Sequence, residues 1–179
     1  DRPGKLLRRI EAQVPESAAK QSTDNRRARG EATKNSIMRA AEKLIAQGGV
    51  ENISIKEIVA AAGQKNESAL QYHFGSFNGL LVAIHAERSE QTRAKRAELL
   101  AQLVDASPEP ELREICALMV RPAFDLARSR PDYRCYVKAF GHQLTLIEDS
   151  AVKMAVHKGG GGGESGIELG RRLKQALPH

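Results

Sequence analysis

A short polar stretch, GQKNESALQYHFGSF at residues 63–77, concentrates the side chains of this chain that could bind a nucleic acid. Gln and Asn can pair with adenine edges through two hydrogen bonds, Lys favours guanine or phosphate, and Ser reaches either. A tyrosine hydroxyl can bind phosphate while its ring packs on the protein. These groups are supplied by Lys65, Asn66, Ser68, Gln71 and Tyr72. The alternative interpretation is the solvated surface of an ordinary helix.

The segments before this stretch predict two helices that could hold it in place. Apolar residues at helical spacing predict a first helix that begins near Glu31 and ends at Gly48. Ser54, followed three residues later by Glu57, forms a capping-box pattern. That pattern predicts a second, short helix that begins near Ile55.

The polar stretch itself predicts a third short helix, from about Asn66 to His73. Gly75 ends this helix, and Ser76 can cap a fourth helix that continues to about Leu103. Because the second and third helices are short and joined by a glycine turn, the three helices predict a helix-turn-helix unit.

The composition favours an all-α chain with a polyanionic partner. Leu, Ile, Val and Ala must build the core, because aromatic residues make up only 4% of the sequence and Trp is absent. The net charge of +6 favours nucleic acid first and an anionic membrane surface second. No apolar stretch approaches the ~20 residues that a membrane span needs.

Motifs for catalysis, metal ions and cofactors are missing from the sequence. The five histidines lack metal-ligand spacing, and no phosphate-binding glycine loop or nucleophile elbow occurs. Cys116 and Cys135 are too few for a disulfide framework, so we expect two reduced thiols in the cytoplasm, mostly as small core residues. We therefore expect no enzyme activity, no metal and no cofactor.

The two ends of the chain differ from its centre. Residues 1–30 are polar and basic and predict a flexible basic arm. After a linker at Ser107–Pro110, two helices are predicted at about 110–129 and 131–148. The glycine run at 159–163 predicts a loop, and a last amphipathic piece places Ile167, Leu169, Leu173 and Leu177 near one side.

Residues 32–84 closely resemble the DNA-binding domain of TetR-family transcriptional regulators. The matching features are the spacing of the first helix, the Gly48–Gly49 break, the SIKEIVAAAG helix and the ALQYHFGS ending, followed by Leu80 and Leu81. The resemblance implies an all-α fold with three parts: the basic arm, a three-helix DNA-binding domain at 31–78, and a C-terminal helical ligand-binding and dimerisation domain at 79–179.

The resemblance also implies roles for individual residues. Tyr72 and His73 match positions that hold the DNA backbone. Thr33 and Lys34 correspond to further phosphate contacts at the start of the first helix, and Lys56 to a backbone contact on the second. The implied base readers are Lys65, Asn66, Ser68 and Gln71.

For the C-terminal domain, the resemblance implies a small-molecule pocket and a homodimer. Candidate pocket residues are Met119, Phe124, Tyr133, Tyr136, Phe140 and Leu144, with ordinary core packing as the alternative. Family members usually have two further helices in a dimer bundle. The resemblance therefore implies either that this domain is incomplete in the sequence or that dimerisation uses other surfaces.

The main interpretation is a ligand-responsive transcriptional repressor that binds a palindromic double-stranded DNA operator as a dimer. One alternative is a DNA-binding nucleoid protein without effector control. The other, from a different class, is a helical adaptor protein or an enzyme without a recognisable catalytic motif.

Overall fold

The computed structural model describes residues 16–107, 110–146 and 163–176, and these are helical apart from short connections. The helices are α1 (Glu16–Gly48), α2 (Ile55–Ala61), α3 (Ser68–Phe74), α4 (Phe77–Ala106), α5 (Leu112–Ser129), α6 (Pro131–Leu146) and α7 (Gly163–Ala176). A 3₁₀ turn at Val50–Asn52 follows α1. The prediction of an all-α chain is confirmed over these residues. No helix within these ranges is long and apolar enough to cross a membrane.

The first helix is longer than predicted. It begins at Glu16 instead of near Glu31, so the prediction of a flexible arm over residues 1–30 is wrong for residues 16–30. Residues 1–15 lie outside the described ranges. Once residues 31–48 form a packed helix, each added residue extends it without a new nucleation cost. The polar composition of this segment therefore did not prevent helix formation.

The second helix begins as its capping pattern predicts. Ser54 Oγ accepts a hydrogen bond from the Glu57 backbone N–H, and the Glu57 carboxylate accepts one from the Ser54 N–H. The Ser54 N–H and the Ser54 hydroxyl, which both donate to the Glu57 carboxylate, lower the pKa of Glu57. Ser36 of α1 donates a hydrogen bond to the Ala62 carbonyl at the other end of α2. Both ends of this two-turn helix are thereby fixed.

A tight glycine turn fixes the angle between α3 and α4. Gly75 has a φ of +71°, which side-chain-bearing residues rarely adopt, and its N–H bonds the Gln71 carbonyl. The Ser76 hydroxyl then caps α4 at the Gly79 N–H. A Cβ at Gly79 would lie 2.0 Å from the Phe74 carbonyl oxygen. Glycine is therefore required at 79 for α3 and α4 to approach this closely.

The fifth helix contains a proline that the fold accommodates. Pro122 is buried inside α5 and cannot donate a hydrogen bond to the Leu118 carbonyl, one turn earlier. The Arg96 side chain of α4 donates to that carbonyl instead, at 3.3 Å. The helix therefore continues through Pro122 to Ser129.

Two buried apolar clusters form the core within the residues that the structure describes. The larger contains side chains of α1 to α4 together with Tyr133, Tyr136, Ala139 and Phe140 of α6. The smaller joins the second half of α4 to α5 and α7 through Leu99, Leu100, Ile115, Leu118 and Leu169. The larger cluster contains residues from both sides of residue 78, the predicted boundary between the two domains. Helix α6 therefore packs directly on the helix-turn-helix unit.

Several peripheral expectations differ from the structure. Cys116 is exposed and Cys135 half-buried, so neither is a fully buried core residue. Leu169 is buried but Ile167 is exposed, because residues two positions apart on a helix point to opposite sides. The described residues do not include Leu177 or the glycine run before Gly163. The side chain of Leu173 is likewise not among them.

Candidate nucleic-acid interface

The outward face of α3 carries the polar side chains that the sequence analysis selected. Ser68, Gln71 and Tyr72 fall within about 100° of one another around the helix axis and are exposed. Tyr72 is the most prominent, with 84% of its surface accessible. Leu70 is buried on the opposite side. Rotation of α3 about its axis would expose Leu70, and burial of this side chain therefore holds the polar face toward solvent.

A shallow depression brings several of the predicted residues together. It has a volume of about 750 Å³ and lies where the loop after α2 meets α3. Its lining includes five of the nine predicted DNA-binding residues: Lys65, Asn66, Ser68, Tyr72 and His73. Lys65 and Asn66 lie in the loop, because α3 begins at Ser68 and not near Asn66 as predicted.

The Asn66 side chain has a local structural contact. Its Oδ1 accepts a hydrogen bond of 2.9 Å from the Ser68 backbone N–H, at the start of α3. Pairing with adenine through two hydrogen bonds would need that same oxygen. In this conformation Asn66 therefore presents only its amide N–H groups to a partner.

The remaining predicted residues surround this face on other helices. Lys56 is exposed in the first turn of α2, and Thr33 and Lys34 are half-buried on α1. The Thr33 hydroxyl donates to the Arg29 carbonyl one turn earlier. His73 is half-buried and packs edge-on against the Tyr72 ring, with 5.0 Å between centroids. All nine side chains thus belong to the three helices and one loop of the helix-turn-helix unit.

The six predicted pocket residues are divided between the core and the surface. Tyr133, Tyr136 and Phe140 are buried in the larger cluster, whereas Met119 and Phe124 are 59% and 60% exposed on α5. The Leu144 side chain lies outside the description. The structure therefore does not bring the described members together around one cavity.

A groove does exist elsewhere on the helical body. It has a volume of about 760 Å³ between α4 and α5, and its lining combines Leu99, Leu103 and Leu118 with Arg113 and Arg121. None of the described pocket candidates lines it. The sequence analysis did not identify this groove, because its polar residues resemble an ordinary solvated helix face.

A buried ion network links the helix-turn-helix unit to α6. Arg88 of α4 has no accessible surface, and Glu42 of α1 has 1%. The Arg88 Nε and Nη2 atoms donate to the two Glu42 carboxylate oxygens at 2.8 Å each, and Nη1 donates to Asp132 Oδ2 of α6 at 2.9 Å. Arg39 joins Glu42 to Glu87. Three helices are therefore held by one guanidinium group.

Burial perturbs the titration of the groups around this network. It raises the pKa of the Glu42 carboxyl above its usual range, and the neighbouring Arg39 guanidinium opposes that rise. Burial lowers the pKa of His85, whose Nδ1 lies 3.1 Å from the Tyr136 hydroxyl. The sequence analysis gave His85 no role, and it did not identify Arg88, since charged residues on a long helix are usually solvated.

The exposed polar helix α3, packed against α1 and α2, has the arrangement of a helix-turn-helix unit. A family model for bacterial regulatory proteins of the tetR family matches residues 37–84. The fold resembles the crystal structure of a TetR family transcription regulator from Marinobacter aquaeolei VT8. That comparison has a TM-score of 0.54 and 20% identity, over 83% of this chain and 70% of the other. No curated protein matches the chain significantly.

Residues 37–84 therefore match a domain of bacterial regulatory proteins of the tetR family, and the chain shares its fold with a TetR family transcription regulator. The resemblance found in the sequence is confirmed at this level.

Proposed function

We propose that this protein is a ligand-responsive repressor that binds a palindromic operator as a homodimer, with α3 in the major groove. The main support is the outward face of α3, where exposed Ser68, Gln71 and Tyr72 oppose buried Leu70. In this proposal Lys65, Ser68, Gln71 and the Asn66 amide N–H read base edges. The backbone contacts come from Thr33, Lys34, Lys56, Tyr72 and His73.

The dimer part of the proposal follows from the small size of α3. A seven-residue helix reaches few base pairs, so two copies are needed for useful affinity. Two such helices must lie ~34–36 Å apart to enter successive major grooves on one face of the duplex. The operator then has two half-sites with matching spacing.

The effector part rests on the direct packing of α6 against α1. Movement of α6 by a ligand would act on Asp132, and through Arg88 on Glu42 of α1. The spacing of the two recognition helices would change with it. A ligand can do this only if it binds the DNA-bound and DNA-free conformations with different affinity. The exposed Phe124 and Met119 side chains remain our candidates for contacts with it.

Operator binding can be tested without knowing the sequence in advance. Duplexes selected by the purified protein from a random pool should share a two-fold symmetric motif, and the motif should be footprinted in the upstream region of the protein's own gene. Binding of selected and random duplexes with equal affinity would contradict the proposal. Sedimentation of the complex should give two protein chains per motif.

Effector control requires a separate experiment. Thermal-shift screening of small molecules should find a ligand that raises the unfolding temperature and also weakens binding to the selected duplex. The Phe124→Ala variant should lose the ligand effect and keep DNA binding. A protein that binds the motif but gives no hit would favour a regulator without effector control.

A further inference from the structure

The N-terminal half of α1 extends beyond the helix-turn-helix unit. Residues 16–30 make about four turns of helix, and every side chain from Thr23 to Arg29 is exposed. From Thr23 onward, where the burial of α1 is described, the first fully buried residue is Ile37. Between Thr23 and Arg29 this extension therefore gains no stability from the core, and the side chains of Arg26 and Arg29 are accessible to a partner.

The extension carries unneutralised positive charge. Arg26, Arg27 and Arg29 are exposed, and their guanidinium groups make no ion pair within the described part of the chain. Around the helix axis, Asp24 and Glu31 lie about 140–160° from Arg26. Asp24 and Glu31 are therefore on the opposite side from Arg26 and Arg29, and between Thr23 and Gly30 the charged side chains on the Arg26 side are all basic.

This basic side is continuous with the candidate DNA interface. Arg26, Gly30, Thr33 and Ile37 fall within about 60° of one another around α1. A Cβ at Gly30 would lie 4.0 Å from His73 Cε1, so α1 passes next to the end of α3 at this point. Before Gly30 the same side of α1 extends past this point of contact, and its side chains from Thr23 to Arg29 are exposed.

We propose that the extension of α1, through Arg26 and Arg29, is a second DNA-binding element that contacts phosphates flanking the segment read by α3. This inference rests on the proposed operator binding. Fourteen residues of helix from Gly30 to Glu16 span about 21 Å, or roughly six base pairs of duplex at 3.4 Å each. The matching partner is a phosphate backbone, because guanidinium groups bind phosphate through charge-assisted hydrogen bonds without reading bases.

The test compares the wild-type protein with Arg26→Gln/Arg29→Gln on two duplexes that carry the selected motif. One ends at the edge of the motif, and the other has about ten extra base pairs of random sequence on each side, more than the extension can reach. Only the long duplex should distinguish the two proteins. Two lost phosphate contacts per subunit flatten the dependence of log K on log salt by about 1.8. Wild-type affinity should then fall about tenfold further than that of the variant, per subunit, between about 50 and 200 mM salt.

Two control variants distinguish direct phosphate contacts by Arg26 and Arg29 from an effect of the total charge of the protein. Lys43→Gln/Arg113→Gln removes two exposed charges elsewhere on the surface and should retain the wild-type response to flanking DNA. Arg26→Lys/Arg29→Lys keeps the charge and should retain the wild-type salt slope. Circular dichroism should show equal helix content in all four proteins.

Each outcome has one meaning. Equal binding of wild type and Arg26→Gln/Arg29→Gln to the long duplex, with the motif still selected, overturns the second element and leaves the operator proposal standing. An equal loss with the lysine variant or with the surface control overturns it as well. If the wild-type protein selects no motif, operator binding fails and the inference fails with it.

Discussion

Polar side chains serve opposite purposes on α3 and on α4. On α3, Ser68, Gln71 and Tyr72 are exposed, and their hydrogen-bonding groups face solvent. On α4, Arg88 is fully buried and donates to Glu42, Gln91 and Asp132. Its guanidinium also lies 5.6 Å from the centroid of the Tyr133 ring.

The contrast shows that buried polar groups with hydrogen-bond partners stabilise the fold, whereas exposed polar groups can bind a partner. A buried polar group that already has all its partners holds helices together and cannot bind anything else. An exposed one contributes little to folding and can exchange water for DNA. Substitutions on α4 should therefore act on stability, and substitutions on the outer face of α3 should act on DNA affinity.

The largest effect is expected from breaking the buried network. Arg88→Met leaves Glu42 buried with Arg39 as its remaining partner and should destabilise the protein by about 3–5 kcal/mol. The free energy of unfolding from urea denaturation measures this. Arg113→Met, at an exposed site on α5, should stay within about 0.5 kcal/mol of wild type.

A second substitution sharpens the interpretation of that loss. In Arg88→Met/Glu42→Leu no buried charge lacks its partner, so part of the stability should return. If the loss of unfolding free energy in the double variant equals the sum of the losses in Arg88→Met and Glu42→Leu, then Arg88 and Glu42 are not coupled.

Neighbouring residues on α3 should show the same contrast within one helix. Gln71→Ala should weaken binding to the selected duplex by about 1–3 kcal/mol and relax the preference at one base pair. Leu70→Ala should instead destabilise the fold by about 2–5 kcal/mol. Fluorescence anisotropy with selected and random duplexes, and thermal unfolding, separate the two. An equal loss on both duplexes would show that Gln71 does not read bases.

A smaller effect is expected at the cap that positions the helix-turn-helix. Ser54→Ala removes the hydroxyl that accepts the Glu57 N–H and should cost about 1 kcal/mol of stability. Ser54→Thr keeps the hydroxyl and should cost less. Both effects can be measured as changes in the urea midpoint at constant slope, and a loss as large for Thr as for Ala would argue against the cap.

A further small effect is expected as a pH dependence from His85. Because burial lowers its pKa in the folded state, the unfolded chain takes up a proton more readily. The associated stability is complete above the unfolded pKa of about 6.5 and is lost as pH falls through the folded value. At pH 5.5 the loss is at most about 1.4 kcal/mol, one pKa unit below the unfolded value.

His85→Gln isolates this contribution. The difference in unfolding free energy between wild type and variant should shrink from pH 7.5 to pH 5.5. Glu42, whose raised pKa favours the folded state as pH falls, is present in both proteins and cancels. A difference that does not change with pH would mean that His85 does not titrate as its burial implies.

The sequence by itself determined the local architecture of the DNA-binding domain. The Ser54–Glu57 pattern fixed the start of α2, and Gly75 with Ser76 fixed the turn into α4, because caps and left-handed glycines act over only three or four residues. Periodicity also separated Leu70 from the polar face, because a helix assigns sides by residue number alone.

Only the tertiary structure decided which charged residues are buried and which hydrophobic ones are not. Nothing local distinguishes Arg88 from the other arginines of α4, and its burial depends on Glu42 and Asp132 arriving from helices 46 and 44 residues away. The exposure of Phe124 depends likewise on the absence of a described element that packs over it. Local sequence patterns determine where a helix ends and which residues share a face, but long-range packing determines which other helix lies against each face.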